Sequence, residues 1–245
     1  MLEALRAKRP INKILMAEDL GRHSGVAEVL GIAKEEDILV ERVDRHALDR
    51  LSITRMHQGV LALVAAKSYA NLNDIFKAAA LKNEAPLVVV LDGIVDPQNL
   101  GAIIRTVDGS GAHGVIIPER RAVGLTSGVA RSSAGAIEYV PVTRVGNLSN
   151  ILATLGREKL WTIGVDPKAT RDYTQVDYKQ PTALVIGAEG KGLSSPVRDH
   201  CDLIVSIPMR GKVASLNASV ATALVLYEAL RQRRGPIVAA EKAGA

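Results

Sequence analysis

Three segments of the 245-residue sequence carry polar residues and glycines at spacings that suit ligand chemistry. The first runs Leu91-Asp92-Gly93-Ile94-Val95-Asp96-Pro97-Gln98-Asn99-Leu100-Gly101-Ala102-Ile103-Ile104-Arg105-Thr106. Asp96-Pro97 or Asn99 suits a helix start. Leu100, Ile103, Ile104 and Val107 then share a buried face, and Arg105 falls outside it. The second segment, Ala183 to Leu193, places Gly187, Gly190 and Gly192 after an apolar run, where small residues permit close backbone approach to a ligand. On composition alone it reads equally as a tight turn with Glu189 and Lys191 in solvent. The third, Ile204 to Ser219, ends a strand at Pro208, passes through a basic loop and enters a helix near Ser215 to Asn217. Ser215 or Asn217 suits a cap there, and the free amides of a helix start suit a phosphate or carboxylate. These segments describe a ligand pocket without naming the ligand.

Several chemistries are excluded. The glycine spacing matches neither the phosphate loop of nucleotide hydrolases nor the dinucleotide fingerprint. No Gly-x-Ser-x-Gly elbow or His-Glu-x-x-His motif occurs. The lone Cys201 allows no internal disulfide and no cysteine cluster for zinc, and beside a buried strand it reads as packing. His113 and His200 read as surface or loop residues, and no metal site is expected. The net charge of +5 and pI near 9.4 suit a polyanionic partner, whose counterions are released on binding. Aromatic residues make up only 3%, with a single Trp161 and a single Phe76, so base stacking rests on few side chains. The basic Met1–Pro10 lacks a signal-peptide core, no apolar stretch is long enough to span a bilayer, and a reduced cytoplasmic location is expected.

The elements that must carry these segments alternate. Ile11 to Met16, Asp37 to Val43 and Gly59 to Ala65 read as strands, with helical patterning at Val26 to Ile32 and Ala47 to Leu51. A polar stretch from Lys67 to Ala85, with one amphipathic helix at Leu72 to Leu81, reads as a connector. Leu87 to Leu91 is continuous and β-branched, as expected of a buried parallel strand. Further strands are expected at Gly114 to Ile117, Leu160 to Val165, Ala183 to Ile186 and Leu203 to Ile207. Helices are expected at Leu100 to Gly109, Leu148 to Leu155 and Leu216 to about Arg231. Such alternation implies an α/β fold with a largely parallel, doubly wound sheet. The expected organisation is a front domain over 1–68, a linker over 69–85, a second domain over 86–235 and a loose tail over 236–245. In open α/β sheets ligands bind outside the carboxyl ends of strands, where all three segments fall.

In order, the three segments resemble the signature motifs of the SpoU (TrmH-like) branch of the SPOUT methyltransferases. They read Asp-Pro-x-Asn-Leu-Gly-x-x-x-Arg-Thr, Ile-Gly-x-Glu-Gly-x-Gly and Ile-Pro-Met-x-Gly-x-x-x-Ser-Leu-Asn-x-Ser-x-Ala, over roughly residues 87 to 231. The front part, in Ile11-Asn12-Lys13-Ile14 and His57-Gln58-Gly59-Val60, resembles that family's ribosomal-protein-like RNA-binding domain. Relatives carry a short strand and a turn ahead of the helix equivalent to Leu2-Glu3-Ala4-Leu5, so either the start is misassigned or the front domain is without its first strand. The resemblance implies a C-terminal trefoil knot, a homodimer and S-adenosylmethionine as cofactor without a metal. It also implies methyl transfer to a ribose 2′-hydroxyl, that of a guanosine in large-subunit (23S) ribosomal RNA. By position, Gly187, Gly190, Ile207, Met209 and Leu216 would bind the cofactor, and Asn99, Arg105, Glu189, Ser215 and Asn217 would line the reacting atoms. Arg105 would anchor a phosphate and stabilise developing alkoxide charge rather than act as a base, because a guanidinium is hard to deprotonate. The alternatives are a transfer-RNA ribose methyltransferase, a non-catalytic RNA-binding module of the same fold and a nucleotide-binding regulator.

Overall fold

The structure, a computed structural model, describes residues 1–21, 24–52 and 57–234. It comprises two compact units, Met1–Ser68 and Tyr69–Ala245.

The first unit runs α1 (Leu2–Arg6), β1 (Ile11–Ala17), α2 (Ser24–Glu35), β2 (Val40–Val43), α3 (Arg45–Leu51) and β3 (Val60–Val64). Its three-stranded sheet has the order β2-β1-β3, with β1 parallel to β2 and antiparallel to β3. Side chains alternate across a strand, so Ile14 and Met16 join Leu5, Val29 and Ala33 while Leu15 and Ala17 join Leu48. Both faces of β1 are thus covered, which explains the apolar run from Ile14 to Ala17. The His57-Gln58-Gly59 segment is a turn: the Gly59 N–H donates to His57 Nδ1 at 2.9 Å, and Nε2 faces Asp49 at 3.1 Å.

The second unit runs α4 (Leu72–Leu81), β4 (Leu87–Asp92), α5 (Pro97–Ser110), β5 (Gly114–Pro118), α6 (Ser127–Ser132), β6 (Val142–Val145), α7 (Leu148–Arg157), β7 (Trp161–Val165), β8 (Thr182–Gly187), α8 (Ser195–Arg198), β9 (Leu203–Val205) and α9 (Ala218–Arg234). Its six strands are all parallel, in the order β6-β5-β4-β8-β7-β9. Helices α5, α6 and α9 cover one face, against Leu87, Val89 and Leu91; α4, α7 and α8 cover the other, against Val88 and Val90. Each fully buried aliphatic side chain contributes about 1.5–3 kcal/mol, and both clusters consist largely of such residues. The chain leaves β4 towards β5 and leaves β8 towards β9, so the connections diverge from two neighbouring strands. That divergence opens a crevice at the carboxyl edge.

Three short elements, α6, β6 and α8, were not expected from the sequence; elements of four to six residues are too short to show a period. Residues 69–85 are not a free connector. Ile75 and Ala79 of α4 are buried, Ile75 packs with Val88 and Ile116, and Ala70 bridges to Thr143. The apolar side of that helix is covered by the sheet. His113, expected at the surface, is 2% exposed: its Nδ1 accepts the Leu87 N–H at 3.0 Å, and Nε2 meets Glu84 at 3.1 Å. The tail expected over 236–245 lies outside the described residues.

Candidate active site

At the carboxyl edge the three glycine-bearing segments meet. The Asp96 side chain accepts the Gln98 N–H and starts α5, with Pro97 in its first turn. Asn99 is therefore not the cap; it sits further in, with its side chain free to reach outward. Leu100, Ile103, Ile104 and Val107 are fully buried and Arg105 is exposed, as the helical stripe requires. Arg105 makes no hydrogen bond or ion pair among the described residues.

Asn217 joins the three segments. Its Oδ1 accepts from the Ser219 N–H at 2.9 Å and from Ser219 Oγ at 2.6 Å, which caps α9. Its Nδ2 donates to Asn99 Oδ1 at 2.9 Å and to Glu189 Oε2 at 3.3 Å. One amide thus fastens the third segment to the first and the second, and its bonding capacity is spent doing so. Asn217 positions its neighbours. Ser215, by contrast, makes no hydrogen bond among the described residues and lines the adjacent pocket.

That pocket holds about 530 Å³ of empty space, part of it open to solvent. Its walls are the ends of β7 and β8, the stretch after β9 and the start of α9. Gly187, Gly190, Ile207, Met209 and Leu216 all line it, as do Glu189 and Ser215. Asn99, Asn217 and Arg105 do not. Glu189 belongs to both the wall and the brace, while Asn99, Asn217 and Arg105 lie on or beside the brace alone.

Glycine is required at Gly187 by packing. A Cβ there would collide with the backbone of Gly192 and with Leu193 N, so the returning turn closes directly over the end of β8. Gly192 has φ +68°, and a Cβ on it would lie 2.7 Å from Asp166 Oδ2. Asp166 was not singled out from the sequence. It lies between the wall residues Val165 and Pro167, is 3% exposed, pairs with Arg198 at 2.9 Å and accepts the Lys168 N–H at 2.8 Å. A buried carboxylate needs such partners, and it supports the glycine turn from beneath. Its only sequence signal is an acid directly after a buried strand. Burial pushes the Cys201 thiol up to about 12, so it stays neutral and packs rather than reacts. Among the described residues no group of three or more His, Cys, Asp or Glu stands together as metal ligands. No described helix is long and apolar enough to cross a membrane.

A parallel doubly wound sheet with a glycine-walled pocket at its switch point, beside an Asn-Asn-Glu brace, defines a nucleotide-type ligand site on an α/β enzyme scaffold. Residues 86–227 match the SpoU rRNA Methylase family, and residues 1–70 match the domain described as RNA 2′-O ribose methyltransferase substrate binding. A Bacillus subtilis protein, YacO, described as a TrmH family tRNA/rRNA methyltransferase, is 47% identical over 95% of this chain and 93% of its own. The SpoU methyltransferase AviRb of Streptomyces viridochromogenes, solved with AdoMet, superposes with a TM-score of 0.80 at 29% identity, covering 96% of this chain and 87% of AviRb. An AdoMet-bound rRNA methyltransferase from Sinorhizobium meliloti superposes with a TM-score of 0.76 at 26% identity, covering 94% and 83%. The chain belongs to the SpoU (TrmH-like) family and is an S-adenosylmethionine-dependent RNA methyltransferase.

The pocket fits that cofactor. Gly187 leaves no room for a side chain where the turn closes, and Ile186, Ile207, Leu216 and Ala221 supply an apolar wall for a flat ring. The unpartnered Ser215 hydroxyl is a polar group on that wall.

Proposed function

We propose that this enzyme methylates the 2′-hydroxyl of a ribose, that of a guanosine, in large-subunit (23S) ribosomal RNA. The observation that carries this is the Asn217 brace, which holds the Arg105-bearing helix and the Glu189 turn together beside a cofactor-sized pocket. A front unit related to RNA 2′-O ribose substrate-binding domains supports a large folded RNA as the partner, as does the near full-length likeness to a ribosomal RNA enzyme. Transfer RNA is the second candidate, because the Bacillus relative's description names both substrates. A cytoplasmic setting follows from a ribosomal substrate.

When bound, S-adenosylmethionine supplies its methyl as a sulfonium electrophile. The protein's own work is to hold the ribose oxygen in line with it and ease loss of the hydroxyl proton. Gly187, Gly190, Ile207, Met209 and Leu216 hold the cofactor. Arg105, a permanently charged guanidinium, binds a phosphate of the target nucleotide and stabilises the negative charge growing on the ribose oxygen. The proton passes to solvent. Ser215 orients the ribose, and Asn99, Asn217 and Glu189 keep α5 and the glycine turn in register.

We further assign a second copy of this chain to α9. Val220, Leu224 and Tyr227 are 47%, 39% and 52% exposed and recur at i, i+4 and i+7 on one helical face. The same reading includes a trefoil-threaded C-terminal segment that closes the pocket and adjoins that interface.

The deciding experiment is transfer of labelled methyl to unmodified large-subunit rRNA, with tRNA alongside and products mapped by nucleoside. A 2′-O-methylguanosine at one rRNA position is expected. Label confined to tRNA would leave the family and overturn the substrate.

A further inference from the structure

We propose that the β5–α6 loop and the outer side of α6 form a phosphate-binding surface for substrate RNA on the second unit, built on Arg120, Arg121 and Arg131. This deepens the RNA-methylating function proposed above and rests on it.

The arginines of the second unit fall into two sets. Arg144, Arg171 and Arg233 donate to backbone carbonyls, Arg157 donates to Thr154 Oγ1, and Arg198 and Arg231 are in ion pairs. Arg105, Arg120, Arg121, Arg131, Arg210 and Arg234 are exposed, and their side chains have no hydrogen bond or ion pair among the described residues. Exposed guanidinium groups are ordinary one at a time. Arg210 and Arg234 lie on other elements, the loop after β9 and the end of α9; the remaining four share one neighbourhood, fixed by packing against the first motif.

The loop begins at Glu119, immediately past β5 at the carboxyl edge, and its Val123 N–H donates to Ile94 O at 3.0 Å, in the segment leading into α5. Next, α6 packs onto the first turns of α5. Ser132 Oγ donates to Pro97 O at 2.9 Å, a Cβ on Gly128 would lie 3.3 Å from Pro97, and one on Gly101 would collide with Ser132. Arg105 is one helical turn beyond Gly101, on the side of α5 that meets α6. Arg131 directly precedes Ser132. The cations therefore lie on two elements clamped to the helix that carries Arg105.

Two features favour a ligand over mere solubility. The stretch 119–135 contains one acid, Glu119, against Arg120, Arg121 and Arg131, and is otherwise small or apolar, so it carries a net positive charge of its own. Arg121 has φ +60°, a left-handed conformation that residues with a Cβ rarely adopt. The loop thus directs successive arginines outward at a conformational cost. A planar guanidinium fork matches phosphate oxygens, and neutralising phosphates releases counterions. The surface recognises backbone phosphates flanking the target nucleotide rather than bases, since residues 119–135 carry no aromatic side chain for stacking.

The test compares the wild-type chain, Arg120→Ala/Arg121→Ala, Arg131→Ala and the charge-preserving Arg120→Lys/Arg121→Lys on an unmodified large-subunit rRNA transcript. Affinity is measured across a salt series, and S-adenosylmethionine affinity and methyl transfer are measured in parallel. The double alanine variant is expected to bind RNA roughly tenfold more weakly, with a log K against log salt slope shallower by about 0.7–0.9 for each phosphate that is no longer neutralised. Its KM for RNA should rise, with kcat at saturating RNA and cofactor affinity unchanged. The lysine variant should recover most of the slope. Unchanged RNA affinity and slope in both alanine variants, while the wild type methylates the transcript, would overturn this surface alone. A wild type that transfers no methyl to rRNA or tRNA would overturn the parent function, whatever the variants do.

Discussion

At the scale of single residues, the site separates groups that act on substrate from groups that hold the scaffold. Arg105 is exposed and unpartnered among the described residues, so its removal leaves no buried orphan and no packing defect. Arg105→Ala is expected to cost about 100-fold or more in kcat, on the order of the loss seen when a transition-state charge stabiliser is removed, with cofactor affinity unchanged by calorimetric titration. Equal loss of both would show Arg105 to be structural. Gly187 is the opposite case. Gly187→Ala places a Cβ against the backbone of Gly192 and Leu193, which has no side chain to swing away. The expected result is a stability loss of about 1–3 kcal/mol by urea unfolding, together with loss of measurable S-adenosylmethionine binding. Retained tight binding would refute the close-approach explanation.

At the scale of elements, the amino edge of the sheet is fastened by buried polar groups. Arg233, near the end of α9, donates to the carbonyls of Tyr178, Ala85, Pro86 and Gln180, bracketing the starts of β4 and β8. Nearby, His113 accepts the Leu87 N–H, which requires a neutral Nδ1. Burial, reinforced by Lys82, holds His113 below its ordinary pKa of 6.5. Its folded pKa is depressed, so at pH above about 6.5 the group is neutral in both folded and unfolded chains and imposes no penalty. As pH falls below that value the unfolded chain takes up the proton first, and stability drops until the folded pKa is passed. Urea midpoints measured from about pH 7.5 down to about pH 5 should show this slope in the wild type and a weaker one in His113→Gln. Parallel curves for the two proteins would remove His113 from the account.

At the scale of the whole molecule, the interface assigned to α9 makes the simplest prediction. The helix ends in Arg231, Arg233 and Arg234, while its earlier turns expose Val220, Leu224 and Tyr227. Charged substitution inside an apolar contact leaves a desolvated charge unpaired. Leu224→Asp is therefore expected to convert a dimer to monomers in sedimentation velocity at micromolar concentration. A wild-type chain that sediments as a monomer would refute the interface.

Local patterning determined much of this protein. The buried strand Leu87–Leu91 follows from its continuous apolar run, and the helix over Leu72–Leu81 and the exposed position of Arg105 from a period of 3.6 residues, patterns that a chain carries without knowledge of its neighbours. The three glycine and polar segments were legible as a ligand site because such residues cluster where backbone must approach something closely. Tertiary structure decided what these patterns could not contain. Residues 69–85 have the composition of a connector yet cover a sheet face, and His113 is buried because only the assembled sheet brings Leu87 and Glu84 to it. Asn217 looks like a helix cap, and it is one. Its second role, tying Asn99 to Glu189 across 118 and 28 residues of chain, exists only once β4, β8 and α9 converge. Asp166 carries no motif at all; its importance comes from lying under Gly192, a contact set by packing between segments distant in sequence.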